Sequence, residues 1–441
     1  LPVKHLLALS PIALAATLAG ALPESQPPAT ATSAAPARAF TVATDRPDGL
    51  YRQGEPVVFS IRMTEDGQTV TGRTLAYTLT GDGGLLQTGR LASAAEPVTV
   101  TAKLDRPGWL NLKVTGSDAA GKPIPWWTLT GIAGAAVDPF EVRAGQTMPE
   151  DFDAFWAGEK TKLAAVPQNL VETPAALTGS AAALIHGWHV TSEIGPGLRP
   201  LRALVTIPSN AAPKSLPAQL SIPGAGVRSA AFKTEPGWIS LTLNVHGLEN
   251  LQPAPYYEAI RQNELKDYTR LGSENRDTFY FRGVFLRLLR ALDYVKSRPE
   301  WDGRTLVVAG GSQGGGLALV AAGLDPAVTL CKAGMPGLCD HLGYTRKQSG
   351  GWPQLVALDK AGQPLNPAVA RTSAYYDAAL FAARIKAATE VSIGLKDTTC
   401  PPTSVFAAFN NLTVTNKTLW IYPEAGHLLH GRKIELKTKD P

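Results

Sequence analysis

The chain has 441 residues, 44% of them apolar, and a formal charge of +5 with no run of Lys or Arg. That length argues for two domains, and that apolar content excludes a disordered polymer. Charge scattered in this way excludes a nucleic-acid footprint, so no nucleic-acid partner is expected.

The N-terminus reads as a leader. Lys4 and His5 precede an apolar stretch from Leu6 to Leu18, too short to span a bilayer, and Ala19-Gly20-Ala21 has the small residues of a cleavage site. Residues 1–21 are therefore expected to be an export signal, and residues 22–39, rich in Pro, Ala, Thr and Ser, a linker. No later apolar run is long enough for a membrane span. This predicts a secreted or periplasmic protein with no stable membrane association after signal cleavage.

Residues 40–135 alternate apolar and polar side chains in "FTVATD", "PVVFSIRM", "RTLAYTLTG", "PVTVTAKL" and "GWLNLKVTG", broken by Gly, Asp and Pro. Short strands so spaced predict a small all-β sandwich. It holds no cluster of reactive side chains, and glycan binding, packing on the second domain and assembly stay open as its role. From residue 136 to 441 the pattern changes. Phe152, Phe155, Trp156 and Leu163 fall at helical spacing. Then come the strands "LIHGWHVTSE", "RALVTIP", "AQLSIPG" and "WISLTLNVHG", the helix "FYFRGVFLRLLRALDYVKS", and the strands "TLVVAG", "EVSIGL" and "TLWIYP". Strands alternating with helices predict an α/β fold, a mostly parallel sheet covered on both faces.

Gly310-Gly311-Ser312-Gln313-Gly314 fits G-x-S-x-G, and it lies between the apolar strand "TLVVA" and the small-residue helix "GLALVAAGL". That context makes Ser312 a candidate nucleophile on a sharp strand-to-helix turn. A phosphate loop is disfavoured, since no G-K-[ST] follows. The partners of such a serine follow in the order acid, then His. Asp397 in "GLKDTTCPP" and His427 in "YPEAGH" each follow a strand, in that order. His430 and Glu424 are the weaker rivals. A serine hydroxyl is a poor nucleophile at neutral pH, so His427 is expected to take its proton while Asp397 fixes the imidazole tautomer. The backbone N–H of Gln313 and that of Ala225 in "LSIPGAGVRS", with Gly226 next, are the expected oxyanion donors.

His246 and His341, near strand ends, are candidates for the substrate pocket. His186 and His189, three apart in one strand, point to opposite faces and cannot share a metal. No metal and no cofactor is expected. Three cysteines exclude a disulfide framework but permit one bridge in an exported protein. Cys339 and Cys400 leave the same edge of neighbouring strands and are expected to pair, with Cys331 free.

"DPFEV…PEDFDAFW", "GGSQGGGLALVAAGLDP" and "GLKDTTCPP" together resemble the acetylxylan esterase and cephalosporin C deacetylase family of carbohydrate esterases. The resemblance implies an α/β-hydrolase fold, no cofactor, Ser312, Asp397 and His427 as a triad, and deacetylation of short-chain sugar esters such as acetylated xylan. The chain departs from that pattern at Val245-His246-Gly247-Leu248, where the family carries R-G-Q, and at His427-Leu428, where it carries His-Glu. It also has the extra front β segment, and reads as a divergent branch. A glucuronoyl-type or general carboxylesterase is the alternative enzyme. A glycan-binding protein on an inactive hydrolase scaffold is the non-enzyme alternative. Oligomeric state is left open.

Overall fold

The computed structural model describes residues 37–177 and 184–436. The expected leader and nearly all of the expected linker lie outside the described residues.

The alternating front segment folds as β1 (Arg38–Thr44), β2 (Leu50–Tyr51), β3 (Val57–Glu65), β4 (Gln68–Thr69), β5 (Thr74–Gly81), β6 (Leu85–Ala92), β7 (Val98–Ala102), β8 (Gly108–Gly116) and β9 (Gly131–Val137). One sheet runs β1-β3-β4 with β7 also on β3, and the other runs β2-β9-β8-β5-β6. Every second residue of a strand points to the same face. Val57, Phe59, Ile61 and Met63 of β3 accordingly meet Leu75 and Leu79 of β5 and Leu110, Leu112 and Val114 of β8 in a core of their own.

The second region is built on a ten-stranded sheet. Its strands are β10 (Val171–Ala175), β11 (Ile185–Ser192), β12 (Leu201–Pro208), β13 (Leu216–Ile222), β14 (Ile239–Leu243), β15 (Trp301–Gly311), β16 (Leu330–Gly334), β17 (Ala388–Gly394), β18 (Lys417–Tyr422) and β19 (Ile434–Leu436). Their order is β10-β11-β12-β14-β13-β15-β16-β17-β18-β19. From β14 to β18 every pair is parallel. The connections carry α1 (Phe152–Ala165), α2 (Ala254–Gln262), α3 (Tyr280–Ser297), α4 (Gln313–Leu324), α5 (Pro367–Ser373), α6 (Ala378–Ala382) and α7 (Pro402–Asn411). Helix α3 is apolar on most of its circumference because it packs against both the sheet and α1. Its buried Arg290 donates to the carbonyls of Leu163 and Val166, acceptors that the end of α1 leaves open, and to that of Glu193 just after β11.

The two regions are bolted together at one corner. Asp82, in the tight "GDGG" turn between β5 and β6, is buried. Its carboxylate accepts from the Trp109 amide at 2.9 Å, the Ser349 amide at 2.8 Å and the Thr403 hydroxyl at 2.5 Å. Beside it the Trp109 indole donates to the Leu395 carbonyl at 2.8 Å. Gly134 of β9 leaves room for that approach, since a Cβ there would overlap the Leu395 carbonyl oxygen.

Candidate active site

Strand β15 passes into α4 through Ser312, whose φ of 58° and ψ of −126° place a non-glycine residue in a conformation that L side chains seldom adopt. The Ser312 amide donates to the Gly334 carbonyl at 2.9 Å, and the Gly337 amide donates to the Ser312 carbonyl at 2.8 Å. The strained turn is thereby tied to β16 and the loop after it. Gly310 and Gly314 lack side chains for a direct reason: a Cβ on either would overlap backbone of the turn or of the end of β13.

Ser312, Asp397 and His427 come from three different loops at the carboxyl edge of the parallel strands. The Ser312 hydroxyl lies 2.9 Å from His427 Nε2, and His427 Nδ1 lies 2.8 Å from Asp397 Oδ2. Asp397 is fully buried, and its other oxygen accepts from the amides of Thr399 and Cys400 at 2.8 and 2.9 Å. Those two bonds fix the carboxylate, so the imidazole has one orientation that reaches both neighbours. His427 stays partly open to solvent. The rivals His430 and Glu424 are exposed and make no such link.

The expected oxyanion residues flank the serine. Gln313 opens α4, fully buried, and its side-chain carbonyl accepts from the Tyr268 hydroxyl at 2.6 Å. The β13 loop runs alongside: a Cβ on Gly224 would stand 3.6 Å from Ser312 Cβ. Arg228 donates to the carbonyls of Ala225 and Gly224 at 3.0 and 3.4 Å, holding that loop from behind. Gly337 faces the Gln313 amide, where a Cβ would lie 3.5 Å from the nitrogen and 3.6 Å from Cys400 Sγ. Trp352, Gln313 and Cys400 thus all crowd against Gly337.

His246 and His341 do not line an open pocket; both are buried. The His341 amide donates to Asp377 at 2.7 Å within the packed 340–377 region. His246 Nε2 lies 3.2 Å from the Gly226 carbonyl and Nδ1 lies 2.7 Å from the Tyr280 hydroxyl. A carbonyl only accepts, so Nε2 carries the proton and Nδ1 accepts from Tyr280. Burial, with the Arg287 cation nearby, pushes His246 down to about 3, which keeps it neutral. It is a brace for the β13 loop. His246→Phe should lower turnover about tenfold by loosening a loop expected to supply an oxyanion donor, and His246→Gln, which can donate and accept at the same places, should restore most of it. The same pair tests pH dependence. The folded value lies below the ordinary 6.5, so the unfolded chain takes up the proton first. This contribution to stability is intact above about 6.5 and falls progressively as pH drops toward about 3. Thermal melts of His246→Gln should therefore lose less stability between those limits than wild type.

The expected Cys339–Cys400 bridge is not formed. All three cysteines are free and buried. Both residues lie beside Gly337, but each thiol has another neighbour there. Cys339 donates to the Gly337 carbonyl at 3.3 Å, and Cys400 sits against Ser312. Burial, with Asp397 adjacent, pushes the Cys400 thiol up to about 12, so it is protonated and a poor nucleophile. Among the described residues no group of three or more His, Cys, Asp or Glu is placed to hold a metal ion.

A mixed sheet whose central strands are parallel, with helices on its faces and a serine on the turn after a central strand, defines an α/β hydrolase. Comparison with known proteins carries this to a family. The family described as acetyl xylan esterase (AXE1) matches residues 140–436. Over 279 residues the chain is 32% identical to acetyl esterase Axe7A of Xylanibacter ruminicola, a match covering 62% of this chain and 62% of the length of that protein. Among solved structures it is similar to the acetyl xylan esterase from Paenibacillus sp. R4, with 28% identity, a TM-score of 0.55, and coverage of 66% of this chain and 94% of that one. Acetyl xylan esterase 1 from Thermoanaerobacterium sp. JW/SL YS485 has the same fold at 23% identity and a TM-score of 0.53, over 66% of this chain and 93% of that one. The chain belongs to the acetyl xylan esterase family, a family of carboxylic ester hydrolases. The front β region precedes the family match.

Proposed function

We propose that the protein is a serine esterase that removes acetyl groups from acetylated xylan or xylo-oligosaccharides. The observation that carries this is the continuous hydrogen-bonded line from Ser312 through His427 to the buried Asp397. In this reading Ser312 Oγ attacks the ester carbonyl carbon as His427 Nε2 takes its proton, and Asp397 stabilises the imidazolium that results. The oxyanion is met by the Gln313 amide and by the β13 loop, with Ala225 as the donor proposed there. Collapse expels the sugar hydroxyl, protonated by His427, and leaves an acetyl-serine. A water activated by the same histidine then releases acetate and restores the serine. The family match and the acetyl esterase relative favour acetyl over a longer-chain or glucuronoyl ester.

Action outside the cytoplasm fits a polymeric plant substrate. Among the described residues no helix is long and apolar enough to cross a membrane. The test is acetate release from acetylated xylan set against cephalosporin C, longer p-nitrophenyl acyl esters and methyl glucuronate. Acetate release should dominate, and methyl glucuronate turnover above it would overturn the reading. On the preferred substrate His427→Ala should lose about three or more orders of magnitude in turnover and His430→Ala less than about twofold. The reverse pattern would move the base to His430.

A further inference from the structure

The loop between β8 and β9 presents two adjacent tryptophans to solvent. Trp126 is 60% exposed and Trp127 72%. Large aromatic side chains left open are informative, because a fold ordinarily gains stability by covering them. This loop is not loose. Leu129 is buried in the front core and Ile124 packs against it, one on each side of the pair. The amides of Thr128 and Leu129 donate to the Pro125 carbonyl at 2.9 and 3.2 Å, and the Thr130 hydroxyl donates to the Trp126 carbonyl at 2.5 Å. The rings stand edge to face, 5.9 Å apart at 84°. Lys113 Nζ lies 4.9 Å from the Trp126 ring centroid, so Trp126 is folded over the outer face of β8.

That outer face is open and mainly polar, with Leu86 of β6 the exposed apolar exception on it. Lys113 pairs with Thr78, and Thr78 pairs with Thr88, so the three form a row across β8, β5 and β6; all three are exposed, as are Thr80 and Arg90 on the same face. At the opposite end of β8 the face disappears beneath the second region, where Trp109 donates to Leu395, two residues before Asp397. Lys113 is four residues along the strand, roughly 13 Å from that contact at about 3.3 Å per residue.

We infer that Trp126 and Trp127, with Lys113 and the Thr78–Thr88 row, form a glycan-docking platform outside the active site, whose occupant is the polysaccharide backbone of the proposed substrate. The inference rests on the proposed substrate class. Sugar rings are covered with polarised C–H bonds that stack on the electron-rich face of an indole, while their hydroxyls seek hydrogen-bonding neighbours such as the threonines. Lys113 and Arg90 add positive charge suited to acidic substituents, and the residues facing outward from β5, β6 and β8 include no Asp or Glu. A preordered loop spends little conformational entropy on binding. The platform lies on the sheet whose other end meets Leu395, two residues before Asp397, so a long chain held on it is tethered to a sheet that contacts the loop bearing the acid.

The test separates binding from catalysis. In native gels containing soluble deacetylated xylan, the full chain with Ser312→Ala should be retarded, and the same chain with Trp126→Ala and Trp127→Ala added should migrate as it does without glycan. With Ser312 intact, the double tryptophan variant should keep p-nitrophenyl acetate hydrolysis within about twofold of wild type while KM on polymeric acetylated xylan rises about fivefold or more at unchanged kcat. Equal retardation with and without the tryptophans would overturn the platform. So would sedimentation showing that the substitutions convert a dimer to a monomer, since the pair would then be covered by a second copy of the chain. Failure of wild type to release acetate from any glycan would instead strike the esterase reading, and the gel result on deacetylated xylan would still decide the platform.

Discussion

Ser312→Ala is expected to abolish ester hydrolysis, lowering turnover by about three or more orders of magnitude, while the fold survives. No other hydroxyl can take over the attack, because Ser312 is the group His427 Nε2 reaches at 2.9 Å. The fold should hold because the turn is kept by backbone bonds to Gly334 and from Gly337 that alanine also makes. Alanine retains the positive φ and its strain, so melting should change little. The measurement is initial rates on p-nitrophenyl acetate beside a thermal melt. A variant that keeps more than about a tenth of wild-type turnover would remove Ser312 from the chemistry.

The second large effect is expected far from the nucleophile in sequence. Gly134→Val puts a branched side chain where even a Cβ would overlap the Leu395 carbonyl oxygen and crowd the Trp109 indole nitrogen. Either β9 retreats and the Trp109–Leu395 bond breaks, or the strand end carrying Leu395 moves and takes Asp397 with it. Overpacking of a tight contact costs about 1–3 kcal/mol, and a shift of about 1 Å in a catalytic group costs up to about a hundredfold in rate. Both a lower melting temperature and a lower kcat are expected. Gly158→Ala is the control: it lies in α1 with open space around it, and the exchange should stabilise the helix slightly. Wild-type turnover and melting in Gly134→Val would show that the front sheets do not constrain the loop bearing the acid.

Much of the fold was readable because its signals are local. Strict alternation marked β3, β5 and β8, and the glycine-flanked serine between an apolar strand and a small-residue helix marked the turn after β15. Asp397 and His427 followed from chain order, since parallel strands deliver successive loops to one edge. Four front strands escaped that reading, and two of them, β2 and β4, are only two residues long. β9 is "GIAGAAV", whose Gly and Ala lack the branched bulk typical of strands and serve instead for close approach to Leu395. β6, "LLQTGRLA", carries a glycine in its interior, which weakens a strand signal. Contacts between distant segments left no trace in any window. Asp82 looked like an ordinary turn residue, and nothing near it announces Ser349 or Thr403. His246 looked like a pocket residue because it ends a strand; only the packed structure turns it inward to Gly226 and Tyr280.

The Asp82 corner also bears on the order in which the molecule is assembled. Its carboxylate waits for an amide 267 residues downstream and a hydroxyl 321 residues downstream. On a ribosome the front sheets have their own core and can form early, but this buried acid has no complete set of partners until α7 has emerged. Long-range closures of this kind are slow, and unpaired surface left exposed meanwhile invites aggregation. Docking of the corner is therefore expected to follow formation of the front sheets, because it needs Ser349 and Thr403.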